Sequence, residues 1–402
     1  MHPLKFIEEF RKFHNHFANF NMETPTSYTE EIKFLTQGIE TWKDIPSTSF
    51  SFQILTGISN AVYKVTTDAK VAPHTVILRK FGNTEEVIDK EKESIFFNAM
   101  SESGRGPKCY AESSKYRIEE YFDAVPIQTT QINEPYWRRK LAVTFAKHHA
   151  LEVSGIEKKH VILERLDEAK FYESFNTKCV TKDGFSEEQL KKLNELKTLG
   201  SREEREFVKS ITPSESVVFS HNDTLNGNIL VTKGDQRLIL IDYEYSGYNN
   251  RAYDAANLFV ESMMTYNKIC PPFFTIDEQI FPKLEDVKDF ARYYIYASLY
   301  NNDPEVNDLE SDDIRLSDDA WLLEKIEKEL NDKDFDKELR VFLDEFQKCC
   351  LLSQYYWTTW GVLMYKLKSD SESFDYLSFA YEKFKYYLKW KEQIEQSNSI
   401  LE

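Results

Sequence analysis

One stretch, Val217 to Asp254, constrains this chain more than any other. It opens with a short apolar run, Val217-Val218-Phe219, which reads as a strand and leads into Ser220-His221-Asn222-Asp223. Asn228 follows Asp223 within the same loop. A hairpin pattern comes next: Ile229 to Val231 as one strand, Lys233-Gly234-Asp235-Gln236 as the turn, and Leu238 to Ile241 as the second strand. The second strand ends in Asp242. Turn capping explains Asn and Asp in a loop. It does not explain a carboxylate, an amide and a second carboxylate in this order around a hairpin.

Kinase-type phosphoryl transfer requires that order. One Asp takes the proton of the attacking hydroxyl, an Asn shortly after it holds a Mg²⁺ ion, and an Asp beyond the hairpin holds the metal that bridges the phosphates. The pattern assigns those parts to Asp223, Asn228 and Asp242.

Composition narrows the remaining possibilities. At 402 residues the chain is long enough for two lobes, and 41% apolar residues suffice for a core. A net charge of −17 argues against a nucleic-acid groove, which needs a basic face, and against docking on anionic lipid. It suits a cationic substrate. Five cysteines, with Cys349 and Cys350 adjacent, make no disulfide framework or zinc spacing and point to a reducing compartment. The first residues mix Glu8, Glu9 and Arg11 with apolar side chains, unlike a signal peptide, and no run has the apolar length of a membrane span. The expected location is cytoplasmic, without stable membrane insertion.

The same central stretch carries a family resemblance. Ser220 to Asp223 through Asn228-Ile229-Leu230 resembles the Brenner phosphotransferase motif. Ile241-Asp242-Tyr243-Glu244-Tyr245-Ser246, with Tyr248-Asn249-Asn250-Arg251, Asp254 and Asn257, closely resembles the choline kinase motif. The chain is similar to the choline/ethanolamine kinases from about Phe50 to Tyr387. The implied fold is α+β and protein-kinase-like. Residues 1–122 would form a small antiparallel-sheet lobe with a helical extension, and residues 123–402 a larger, mainly helical lobe. The resemblance implies ATP and Mg²⁺ as cofactors and choline or ethanolamine as the acceptor. It places Glu244 and Arg251 in support of the metal site and loop, with Glu244 near the metal. Family members are often dimers, so a homodimer is compatible with it.

Along the chain, residues 4–20 read as an amphipathic helix with Phe6, Phe10, Phe13 and Phe17 at helical spacing. Phe50 to Phe81 is strand-rich. There Thr56-Gly57-Ile58-Ser59-Asn60 is a small polar turn of the kind that can cover phosphates with backbone N–H groups. One glycine is a weak signal, but the resemblance puts the ATP loop there, with Gly57, Ser59 and Asn60. It puts Arg79 at the place of the kinase phosphate-contacting lysine, paired with Glu93 on a helix expected over Glu85 to Ser101. Tyr116 to Phe122 reads as the last strand of the small lobe, with adenine bonded to backbone from Glu119 to Tyr121.

A helix is expected from Trp137, with Leu141, Phe145 and His149 on its face. His148, His149 and His160 lack a carboxylate or Cys to complete a metal set. Ser174 to Ile211 reads as a charged insertion with a helical piece from Ser186 to Leu199, Ala255 to Tyr266 as a helix, and Asp303 to Asp319 as an acidic surface loop. Lys337 to Tyr365 and Asp375 to Lys391 read as long aromatic-rich helices.

Trp357 and Trp360 lie three apart on the first of these helices and share a face. Alone, such a pair is more often core packing than a cage for a quaternary ammonium. The resemblance favours the cage and adds Glu261 and Tyr266 to it. The family's further pocket tyrosine is read here as Phe379, a ring without the hydroxyl. Choline is the favoured acceptor, with an ethanolamine kinase as the alternative and a non-catalytic, pseudokinase-like binding protein as the more distant one.

Overall fold

The computed structural model describes residues 28–55, 60–82, 89–168, 171, 173–175, 186–266, 270–301, 306, 324–325, 332–367, 374–397 and 399–401. The chain divides into two compact units, residues 1–88 with 100–122, and residues 89–99 with 123–402. The helical reading of residues 4–20 and nearly all of the acidic 303–319 stretch lie outside the described residues.

In the smaller unit, alternating apolar residues build a five-stranded antiparallel sheet. Its strands are β1 (Phe50–Leu55), β2 (Ala61–Thr67), β3 (Thr75–Lys80), β4 (Cys109–Glu112) and β5 (Tyr116–Glu120), in the order β1-β2-β3-β5-β4. Val65 pairs with Val76, and Leu78 with Ile118, so these fully buried side chains share one face. Helix α1 (Thr29–Gly38) covers that face with Ile32 and Leu35, joined by Tyr28, Ile39 and Trp42. A Cβ on Gly38 would stand 2.6 Å from Ile118 Cδ1 and 2.7 Å from Ala111 Cβ, so only glycine lets the helix end approach the sheet.

Helix α2 (Lys90–Glu102) is shared between the units. Among the described residues it begins at Lys90, with Asp89 outside it, and residues 83–88 of the expected helix lie outside the described residues.

The larger unit is mainly helical. Helix α3 (Pro135–His149) starts with Pro at its first turn, where no N–H is missed, and buries Trp137, Leu141, Phe145 and His149 as expected. It also buries Arg138 and Arg139. Both pair with Asp289, and Arg138 also reaches Asp286, on α8 (Leu284–Leu299, named here ahead of its place in the chain). Helix α4 (Val161–Asp167) follows α3. The charged insertion holds α5 (Glu187–Leu196), opened by a Ser186–Gln189 capping box, and α6 (Arg202–Ile211).

Two short strand groups carry the central stretch. β6 (Ala124–Pro126) joins the expected hairpin of β8 (Ile229–Thr232) and β9 (Leu238–Leu240). β7 (Val217–Ser220) pairs with β10 (Gly247–Asn250). Helix α7 (Tyr253–Ser262) stops short of its expected end. Met264–Tyr266 instead forms β11, paired with β12 (Phe274–Ile276), because Met263 O accepts from Asp277 N and the chain turns into a hairpin. Helices α9 (Asp332–Leu367) and α10 (Tyr376–Ser397) run antiparallel, with Tyr355 beside Tyr387 and Gly361 against Phe379 and Ala380. A Cβ on Gly361 would lie 3.0 Å from that of Ala380. Among the described residues no helix is long and apolar enough to cross a membrane.

Candidate active site

Asp254, in the first turn of α7, organises the central loop. Its Oδ2 accepts His221 N at 2.7 Å, and its Oδ1 accepts Asn222 N at 2.8 Å. His149 Nε2 lies 3.0 Å from Oδ2, and His149 Nδ1 lies 2.8 Å from the Tyr294 hydroxyl. Burial pushes the Asp254 carboxyl up, but the hydrogen bond from His149 and the fields of His149, His221 and His148 outweigh it and bring the pKa to about 2. Asp254 therefore stays an anion that splints the loop backbone.

Asn222 adopts a left-handed backbone, φ 65°, which Asn tolerates better than most residues. Its amide donates to Tyr245 O and Gly247 O, both at 3.1 Å, and accepts from Asn249 Nδ2 at 2.9 Å. His221 binds Ile241 O through Nε2 at 2.8 Å, and burial lowers its pKa, so the ring stays neutral. The loop after β7 is thereby tied to the segment after β9.

Three polar side chains come together on this frame. Asn228 Nδ2 donates to Asp223 O at 2.9 Å and to Asp223 Oδ2 at 3.0 Å. Ile241 N donates to Asn228 O at 3.0 Å, which brings the end of the hairpin alongside. Asp242 also has a left-handed backbone, φ 69°, a conformation non-glycine residues adopt at some cost. Burial raises the Asp223 carboxyl well above its usual range, and the negative charges of Asp242 and Glu261 push the same way.

A divalent cation fits this donor set. The Asn228 NH₂ is committed to Asp223, so its Oδ1 could accept a cation, to which Asp242 could add a carboxylate. Among the described residues no three His, Cys, Asp or Glu side chains form a metal cage. One amide and one carboxylate match Mg²⁺, a hard ion that takes few protein oxygens and completes its shell with water and substrate phosphates. Glu244 lies in the turn Tyr243–Tyr245, and its carbonyl accepts from Arg165 at 3.4 Å.

The aromatic residues lie on the same unit. Trp357 and Trp360 meet at 5.5 Å between ring centroids, 76° apart. Their N–H groups are spent: Trp357 donates to Asn257 Oδ1 at 2.7 Å, and Trp360 to Tyr245 OH at 2.9 Å. Asn257 also donates to Thr224 O, beside Asp223, and Tyr245 stands three residues after Asp242. The indoles are thus tied to both catalytic-type loops. Phe379 packs edge-on to Trp360 at 6.0 Å. Tyr376, which sequence reasoning passed over, lies 5.8 Å from the same ring. Glu261 is buried and accepts from Tyr266 OH at 2.6 Å and from Lys383.

The remaining expected residues are placed as follows. Gly57 and Ser59 lie outside the described residues. Asn60 Oδ1 accepts Gly82 N at 3.2 Å. Arg79 Nε bonds the side chain of Glu119 at 2.7 Å, so Glu119 contributes a carboxylate as well as backbone. Tyr121 OH accepts from Lys64 at 2.9 Å, with the ammonium 4.2 Å from the ring. Glu93 lies in the first turn of α2. Arg251 pairs with Glu345 at 2.7 Å and with Glu338, both on α9. That places it as a brace between the β10–α7 turn and α9, in line with the support of the loop that was expected of it.

Sequence reasoning missed Lys383 and the loop-splinting role of His149 and Asp254. No local spacing signals them, because each acts across a long separation in the chain.

Comparison with known proteins agrees with this geometry. The family model described as Choline/ethanolamine kinase matches residues 52–388. A human protein named Choline/ethanolamine kinase is 27% identical over 332 residues, covering 81% of this chain and 75% of the human one. An Arabidopsis thaliana protein named Probable ethanolamine kinase is 24% identical over 358 residues, covering 87% and 82%. Among solved structures, choline kinase from Cryptosporidium parvum superposes with a TM-score of 0.68 at 22% identity, covering 92% of this chain and 97% of that one. A Plasmodium vivax ethanolamine kinase gives 0.65 at 21%, covering 92% and 91%. The fold is therefore the protein-kinase-like α+β fold of these enzymes, and the chain belongs to the choline/ethanolamine kinase family of phosphotransferases.

Proposed function

We propose that the chain is a choline kinase, which moves the γ-phosphate of ATP to the hydroxyl of choline and gives phosphocholine and ADP. The observation that carries the choice of acceptor is the right-angled indole pair, Trp357 and Trp360, whose N–H groups are already bonded within the protein. Indoles so held offer ring faces, and a quaternary ammonium is recognised by ring faces. Tyr245 links them to the turn after Asp242, which sets the cation-binding walls near the phosphoryl-transfer groups.

In this reading Asp223 orients the acceptor hydroxyl and takes its proton. Asn228 holds Asp223 through its NH₂, and its carbonyl and the Asp242 carboxylate would hold Mg²⁺. Bound there, Mg²⁺ would neutralise phosphate charge. Asp254 keeps the loop carrying Asp223 in place.

Ethanolamine is the second reading, supported by the carboxylate of Glu261 and the hydroxyl of Tyr266, which can face a primary ammonium. An ADP-release assay with choline and ethanolamine side by side decides. The expected result is a kcat/KM for choline about tenfold or more above that for ethanolamine, or about 1.4 kcal/mol. A ratio of one or below rejects choline as the preferred acceptor.

A further inference from the structure

Glu261 is the buried anion of the aromatic site, and the protein gives each of its oxygens a donor. Tyr266 OH donates to Oε2 at 2.6 Å, and the Lys383 ammonium donates to Oε1. The Lys383 and Glu261 side chains are 2% and 4% exposed. Lys383 Nζ lies 5.5 Å from the centroid of Phe379, the ring packed against Trp360. The chain's own ammonium thus already holds what a substrate ammonium would seek on this side, a carboxylate oxygen and a ring face. Stability alone does not call for it, since an apolar pair commonly serves a buried site as well as an ion pair does.

We propose that Lys383 is a specificity-determining residue: by filling Oε1 of Glu261 it makes the site select a quaternary over a primary ammonium. The inference rests on the choline kinase reading. A primary ammonium brings three N–H donors, each of which must replace a bond to water on entry. Each Glu261 oxygen already takes a bond from the protein, so those donors must compete with Tyr266 and Lys383 for the lone pairs that remain. A trimethylammonium brings none and asks only for ring faces. Lys383 also cancels the charge of Glu261, so attraction between net charges favours neither head group, and the difference falls on hydrogen bonding.

The test uses the purified full chain and its lysine and tyrosine variants. kcat and KM are measured for ethanolamine, its N-methyl and N,N-dimethyl derivatives, and choline. In the wild type, kcat/KM rises with each methyl group. Lys383→Met frees Oε1 and shifts the ethanolamine-to-choline ratio toward ethanolamine by about tenfold or more, mainly through ethanolamine KM, the scale of one charge-assisted hydrogen bond. Lys383→Arg, which keeps the charge and donors, stays at the wild-type ratio. Tyr266→Phe keeps the ring, frees Oε2, and shifts the ratio the same way. It decides the matter if Lys383→Met does not fold.

Equal losses for both acceptors in Lys383→Met, with a lower melting temperature and an unmoved ratio, would reduce Lys383 to a structural ion pair and overturn the proposal. So would a Lys383→Arg ratio as disturbed as that of Lys383→Met, or an unmoved Tyr266→Phe ratio. A wild type that prefers ethanolamine overturns the choline reading and this inference with it. A wild type that prefers choline with a ratio insensitive to Lys383→Met overturns this inference alone.

Discussion

Asp223 sits where a carboxylate is expensive to keep. It is buried, and Asp242 and Glu261 add negative field, so its pKa is raised well above the usual carboxylate range. The folded state resists ionising it, so stability falls as pH rises from the unfolded-state value of about 3.9 toward the higher folded value. Asp223→Asn removes that penalty and can still accept from Asn228. Turnover should fall by about 10²–10⁴-fold while the apo protein melts at a higher temperature, with the gain present at neutral pH and gone below about pH 4. A variant that keeps more than about a tenth of wild-type kcat would reject Asp223 as the base. Asp254 shows the opposite sign. Its pKa near 2 means that its contribution, about 2–3 kcal/mol, is fully present above about pH 4 and is lost as pH falls toward 2. Asp254→Asn should lower the melting temperature at neutral pH, and the gap to wild type should shrink on acidification. A gap that stays constant from about pH 6 to about pH 3 would mean that the carboxylate is not what holds the loop. Asp223, Asn228 and Asp242 stand out in the sequence because they are spaced along one short segment. Asp254 also stands there, but its job depends on His149, on a different helix, and that pairing has no sequence period to betray it.

At the scale of elements, the legible parts are those with a local pattern. The hairpin of β8 and β9, the buried face of α3 and the two terminal helices follow from apolar periodicity and turn residues. The end of α7 does not, because Met264 to Tyr266 leaves the helix only through pairing with Phe274 to Ile276, a partner beyond the window of any local pattern. The partners of Arg251, Glu338 and Glu345, could not be read locally either, because they belong to α9, which the motif around Arg251 does not contain. The contact between α9 and α10 is where substrate choice is tested. Gly361 lets α10 bring Phe379 against Trp360, and Tyr376 closes on the same indole. Trp360→Ala removes one ring face, worth about 0.5–2 kcal/mol to a bound cation. Choline KM should rise by about two- to thirtyfold, and ethanolamine KM by less, since a primary ammonium depends less on ring faces than a quaternary one. ATP, which presents no quaternary cation, should keep its KM. A uniform loss for both acceptors and ATP, with a lower melting temperature, would make the tryptophans core residues alone.

At the scale of the whole molecule, the net charge of −17 acts on the two substrates with opposite signs. A cationic acceptor is drawn to such a surface, whereas Mg·ATP, itself an anion, is repelled, and salt screens both effects over about 10 Å at 0.1 M. Raising ionic strength from about 0.01 M to about 0.5 M should therefore lower kcat/KM for choline and raise it for ATP. Glycerol-matched viscosity controls separate this from simple slowing of diffusion. The opposition of sign is the informative part. If salt merely loosened the fold, both values would fall together and the melting temperature would fall with them. If the field were irrelevant, neither would move. A choline value that falls while the ATP value rises, at constant melting temperature, assigns the effect to the charge of the chain. A choline value that rises with salt would show that the acceptor reaches Trp357 and Trp360 by apolar contact alone, with the acidic surface playing no part in its capture.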